Sequence, residues 1–110
     1  MLGSLLTLGC SGSGEKKATD LYAGLSPANR EQAEEAVQEA LETRLSKSKL
    51  EWRDAQGDLK GSVTPLRTFK SLSGDYCRVY REVVYARTTD QTATRVACRN
   101  GSGIWDQVEG

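Results

Sequence analysis

Two cysteines bracket the most regular part of this chain. Cys77 stands in GDYCRVY and Cys98 in VACR, and between them Val, Tyr and Thr alternate with polar residues. A period of two is the signature of β-strands. Joining Tyr76–Ala86 to Thr89–Asn100 through a two-residue turn at Arg87-Thr88 sets Ala86 opposite Thr89 and, stepping outward, Cys77 opposite Cys98. Counted from the turn, that pair is non-hydrogen-bonded, the position where side chains approach most closely and a cross-strand disulfide fits. Arg-Thr is poor chemistry for a tight hairpin turn. A wider loop, Arg87 to Asp90, would shift the register and need a bulge to restore the pair.

The same register sorts the faces. Val79:Val96, Arg81:Thr94, Val83:Thr92 and Tyr85:Asp90 share the cysteine face. Arg78:Ala97, Tyr80:Arg95, Glu82:Ala93 and Val84:Gln91 share the other. Polarity alone makes the cysteine–valine face the expected core face. Arg78, Tyr80, Glu82 and Arg95 then form an outer cluster that Arg99 joins, with a cation–π contact between Tyr80 and Arg95. A two-cysteine metal site lacks further ligands, and a redox pair lacks a close partner in sequence. A structural disulfide, which implies an oxidising compartment, is the expected role. Closing its loop contributes about 3 kcal/mol on the chain-entropy estimate.

With 110 residues there is room for one domain and a modest core. Lys+Arg and Asp+Glu are each 15, a balance that argues against nucleic acid as a partner. There is no histidine, which excludes His-assisted nucleophiles and imidazole metal ligands. No cofactor or metal is expected.

The chain opens MLGSLLTLGC and then turns to SGSGEKKATD. Leu2, Leu5, Leu6 and Leu8 followed by Gly9-Cys10 resemble the end of a lipoprotein signal segment, in which the cysteine is lipidated and becomes the mature amino terminus. Thr7 stands where that motif usually has an aliphatic residue, and no basic residue precedes the apolar run, as in a truncated signal segment. Lipidation of Cys10 would leave Cys77 and Cys98 as an even pair. The expected organisation is signal segment 1–10, flexible tether 11–24 and a single domain 25–110.

Ser26-Pro27 is a helix start, a capping hydroxyl followed by proline at the first helical position. From Pro27 to about Lys47, Ala33, Ala36, Val37, Ala40, Leu41 and Leu45 recur at helical spacing, a narrow stripe suited to covering the protein's own sheet. Strands are expected at Leu50–Arg53, after which Asp54–Asp58 turns the chain. Further strands are expected from Lys60 to Arg67, where Gly61 and Pro65 point to a bulge or an edge, and over Ile104–Val108. The fold class is α+β: one amino-terminal helix on a four- to five-stranded antiparallel meander, with the cross-strand disulfide.

From Trp52 onward the chain resembles the carboxy-terminal domain of the rickettsial 17-kDa surface antigen family of bacterial lipoproteins. The resemblance rests on Trp52, Gly57, Gly61, Val63-Thr64-Pro65, Thr68-Phe69, Gly74, Tyr76-Cys77-Arg78, Tyr80, Ala97-Cys98 and Gly103-x-Trp105. In that family the hairpin turn looks like Gly-Gly where this chain has Arg87-Thr88. The family's glycine-rich membrane-associated segment is absent, and the helix stands in its place. The resemblance implies a lipidated, outer-membrane-anchored protein and supplies no catalytic residue or ligand.

These features point to a non-enzymatic cell-envelope lipoprotein or surface antigen domain, tethered to the outer membrane by Cys10, periplasmic or surface-exposed. Its partner would be an envelope protein or peptidoglycan, met by an interaction face of Arg78, Tyr80, Arg95 and Arg99. A periplasmic inhibitor or assembly factor is the alternative. A cell-wall-acting enzyme would have to use Asp54, Asp58, Asp75, Glu82 or Asp90, most of them in turns. A small-ligand binder would line a pocket with Trp52, Phe69 and Trp105, aromatics that a chain this poor in Leu, Ile and Phe is expected to need in its core.

Overall fold

The computed structural model describes residues 20–57, 59–86 and 90–108. The signal segment with Cys10, residues 11–19 of the expected tether, Asp58 and the Arg87-Thr88 turn lie outside them. A 3₁₀ turn at Asp20–Tyr22 leads into helix α1 (Pro27–Thr43). Five strands follow: β1 (Leu50–Arg53), β2 (Lys60–Lys70), β3 (Tyr76–Tyr85), β4 (Asp90–Arg99) and β5 (Trp105–Val108). They pair antiparallel in the order β1-β2-β3-β4-β5, a meander with α1 packed across one face. This is the α+β arrangement expected from the sequence.

The helix begins as its sequence requires. Ser26 accepts the Asn29 N–H at 3.1 Å, and Pro27 takes the first helical position. It ends at Thr43, short of Lys47, because the chain must turn back to start β1. Arg44 is already extended, Lys47 adopts a φ of 73°, and the Lys47 N–H bonds to the Pro65 carbonyl at 2.6 Å. Leu45, expected on the apolar stripe, is therefore 81% exposed. Residues 20–24, expected in the tether, include Leu21, which is buried in the core.

Ala33, Ala36 and Ala40 are buried, and their small side chains let α1 lie close over β1 and β2. Below it Leu50, Trp52 and Val63 fill the layer. Gly61 sits opposite Trp52, and a Cβ there would come within 2.5 Å of the indole. Glycine is needed at 61 because a ring lies on its backbone. The register shift expected somewhere near Gly61 and Pro65 falls between Pro65 and Arg67. A one-residue shift moves later side chains to the other face. Val63 and Pro65 are buried, whereas Phe69 pairs with Cys77 and lies half-buried with Arg67 5.3 Å from its ring. Phe69 is thus not a core aromatic; Trp52 and Trp105 are.

Cys77 faces Cys98, and the rungs from there to Tyr85:Asp90 follow the register derived from a two-residue turn. The disulfide joins Cα atoms 3.9 Å apart. The assignment of faces is the reverse of what polarity predicts. Arg78 (7% exposed), Tyr80 (2%) and Glu82 (1%) lie with Val84 and Ala97 on the covered side. Cys77 is buried too, but Val79, Val83 and Val96 around the disulfide are only partly so. The covered side takes Arg78 and Glu82 because each meets polar groups there: Arg78 the Leu41 and Arg44 carbonyls, Glu82 the Tyr22 hydroxyl and Arg95.

Candidate functional site

Arg78 reaches from β3 to the carboxy-terminal end of α1. Its Nη1 donates to the Leu41 carbonyl at 2.8 Å and to the Arg44 carbonyl at 2.7 Å. The last carbonyls of a helix have no intrahelical donor and carry its negative dipole end, so a buried guanidinium here serves as a cap supplied from the sheet. Burial lowers the Arg78 pKa from its ordinary value.

Four residues along the covered face, Glu82 holds the 3₁₀ turn. Its carboxylate accepts a hydrogen bond from the Tyr22 hydroxyl, and its Oε1 lies 3.7 Å from Arg95 Nε. Arg95 also donates to Gln107 Oε1 at 2.7 Å and lies 6.0 Å from the centre of the Tyr22 ring. Burial pushes the Glu82 carboxyl above its ordinary value, against the pull of Tyr22 and Arg95. Burial, followed by the Glu82 charge, raises the Tyr22 and Tyr80 hydroxyls as well.

At the other edge of the sheet, α1 clasps the start of β5. Gln38 donates to the Trp105 carbonyl at 2.7 Å and accepts the Trp105 N–H at 2.8 Å. Glu42 accepts the indole N–H of Trp105 at 2.9 Å and the Arg99 guanidinium at 3.0 and 3.3 Å. The Arg99 hydrogen bond, then that of Trp105, lowers the Glu42 pKa. Between helix and β5 a cleft of about 460 Å³ remains, in the size range of ligand pockets. Tyr22, Tyr80 and Trp105 line it on one side and Glu31, Glu34 and Glu35 on the other. Among the described residues no Lys or Arg lines it. The cleft is the candidate site.

Of the expected interaction face, Arg78 and Tyr80 are buried, and Arg95 is held at Glu82 and Gln107. Arg99 alone is exposed, beside Glu42. The face as proposed from polarity therefore does not form, though Tyr80 enters the cleft from beneath. Of the carboxylates weighed for hydrolysis, Asp54 accepts the Leu59 N–H at 3.2 Å as a turn residue, and Asp75 sits in the β2–β3 turn with Ser71 and Ser73. Sequence reasoning missed Tyr22, Gln38 and Glu42. Gln38 and Glu42 stand four apart on one helix face with Glu31, Glu34 and Glu35, a polar stripe flanking the apolar one, which was the available signal. Among the described residues no group of His, Cys, Asp and Glu is placed to hold a metal, and no helix is long and apolar enough to cross a membrane.

The profile of the 17 kDa outer membrane surface antigen family matches residues 39–106. The 17 kDa surface antigen of Rickettsia japonica is 40% identical over 86 residues, covering 78% of this chain and 54% of that protein. That of Rickettsia conorii is 40% identical over 85 residues, 77% of this chain and 54% of the relative, and that of Rickettsia bellii 37% over 86 residues, 78% and 54%. The chain spans about half the length of these curated relatives. No solved structure gives a significant match.

Proposed function

The chain belongs to the 17 kDa outer membrane surface antigen family, and from that premise we propose that it is a non-enzymatic lipoprotein of the cell envelope. Lipidated Cys10 tethers it to the outer membrane, and the disulfide-pinned domain contacts an envelope protein. The observation that carries the reading is cysteine pairing. Cys77 and Cys98 are joined, so Cys10, placed after LLTLG, is the cysteine left for another role. A disulfide across a hairpin suits an exported protein, and the family name agrees with an envelope location. The carboxylates support a binding rather than a hydrolytic role. Glu82 is engaged by Tyr22 and Arg95, and Asp54 and Asp75 hold turns.

Fractionation tests the tether. Expressed behind a complete signal sequence, the parent chain should sediment with outer membranes, while Cys10→Ala should appear in the soluble periplasmic fraction. Retention of Cys10→Ala in the membrane fraction would contradict lipid anchoring.

A further inference from the structure

The cleft and the edge of β5 are parts of one surface. Gln38 presents its side-chain amide to both the N–H and the C=O of Trp105, as the peptide group of a neighbouring strand would. The Ile104 carbonyl instead points inward, to the Asn100 N–H. Inward and outward rungs alternate along an antiparallel strand. Asp106, opposite Cys98, therefore faces β4, and the next outward rung is Gln107. Among the described residues β5 is the last strand of the sheet, so that rung lies on its outer edge.

The faces fix what a strand added there would present. Gln107 pairs with Ala97, so its side chain lies on the helix side of the sheet, where it meets Arg95. A residue directly opposite Gln107 on an incoming segment would share that face and point to the cleft. There it would meet Tyr80 and Trp105 with Glu34 and Glu35 beyond, aromatic and carboxylate groups that together favour a cation. Arg95 leaves this preference intact, since it is committed to Glu82 and Gln107.

We propose that the β5 edge and the cleft form one docking site for a short extended segment of a partner protein, which pairs with Gln107 and places a lysine or arginine in the cleft. This deepens the interaction role proposed above by naming the chemistry of the partner. The test needs no membrane, so its outcome is separate from that of the Cys10 fractionation.

The purified, unlipidated full chain is titrated with the acetylated, amidated peptide TVTKTVT while amide resonances are followed. The same titration uses an analogue with norleucine in place of lysine, and free cadaverine. The lysine peptide should shift the Trp105 and Gln107 amides. The norleucine analogue should bind roughly tenfold more weakly or less, the scale of one lost cation contact. Glu34→Gln with Glu35→Gln, on the exposed helix face, should produce the same loss. Gln107→Pro removes the outward N–H at an edge position where proline is tolerated, and it should abolish peptide binding with the circular dichroism unchanged. Absence of binding, equal affinity for the norleucine analogue, or indifference to the Glu34/Glu35 pair would overturn the proposal. So would cadaverine binding as tightly as the peptide, which would make the cleft a site for free cations.

Discussion

The β3–β4 hairpin has two faces with opposite logic. One carries Cys77–Cys98 among half-buried valines and is open among the described residues, none of which puts a helix over it. The other carries Arg78, Tyr80 and Glu82, the residues a polarity count would send to solvent, and it is the face that α1 and the 3₁₀ turn cover. The open face is stabilised by a covalent bond that needs no neighbour. The covered face is stabilised by charged groups that satisfy particular partners: the last carbonyls of a helix and the hydroxyl of Tyr22. A domain with few large aliphatic residues can be organised in this way because a buried polar group is tolerated when its partners are fixed in place.

Removing the disulfide should have the largest effect. Cys77→Ser with Cys98→Ser should lower stability by about 3 kcal/mol in denaturant titrations, chiefly by freeing the unfolded chain. A loss much smaller than this would mean that the open face is already held by its strand pairing. On the covered face, Arg78→Ala should cost roughly 2 kcal/mol, because two helix-end carbonyls lose a charged donor in a buried setting. Arg81→Ala, three residues along and exposed, should change stability little. Comparable losses from Arg78 and Arg81 would erase the distinction between the faces.

The smallest effect concerns pH. Glu82 has a folded pKa above its ordinary 4.5, chiefly through burial. The folded state therefore holds this proton more tightly than the unfolded state does. Its contribution favours folding at low pH and is lost as pH rises from about 4.5 through the raised folded value. Glu82→Gln keeps an acceptor for Tyr22 and removes the titration. Its midpoint of thermal unfolding, relative to the parent, should climb as pH increases across that window and then level off. A difference that stays flat with pH would mean that Glu82 is ionised in the folded chain at its ordinary pKa.

Much of the fold was legible because it rests on local periodicity. The alternation around Cys77 and Cys98 set the register, and Ser26-Pro27 with the alanine stripe set the helix. What could not be read depends on contacts distant in sequence. Arg78 looks like a surface residue until the end of α1 arrives above it, and Gln38 becomes a strand-like partner only once Trp105 is beside it. Phe69 was misplaced for a different reason. Pro65 hinted at irregularity, but the position of a single extra residue decides which face everything after it occupies. The cleft was illegible for the same distance reason, since Tyr22, Glu34 and Trp105 come from three separate elements.

The inward orientation of the charged face is the central claim, and arginine accessibility tests it most directly. The folded chain is treated briefly with phenylglyoxal, which modifies accessible guanidinium groups, and sites are mapped by peptide mass spectrometry. Arg81 should be modified readily, while Arg78, under the end of α1, should be protected until the chain unfolds. Modification of Arg78 at the rate of Arg81 in the folded protein would contradict the account.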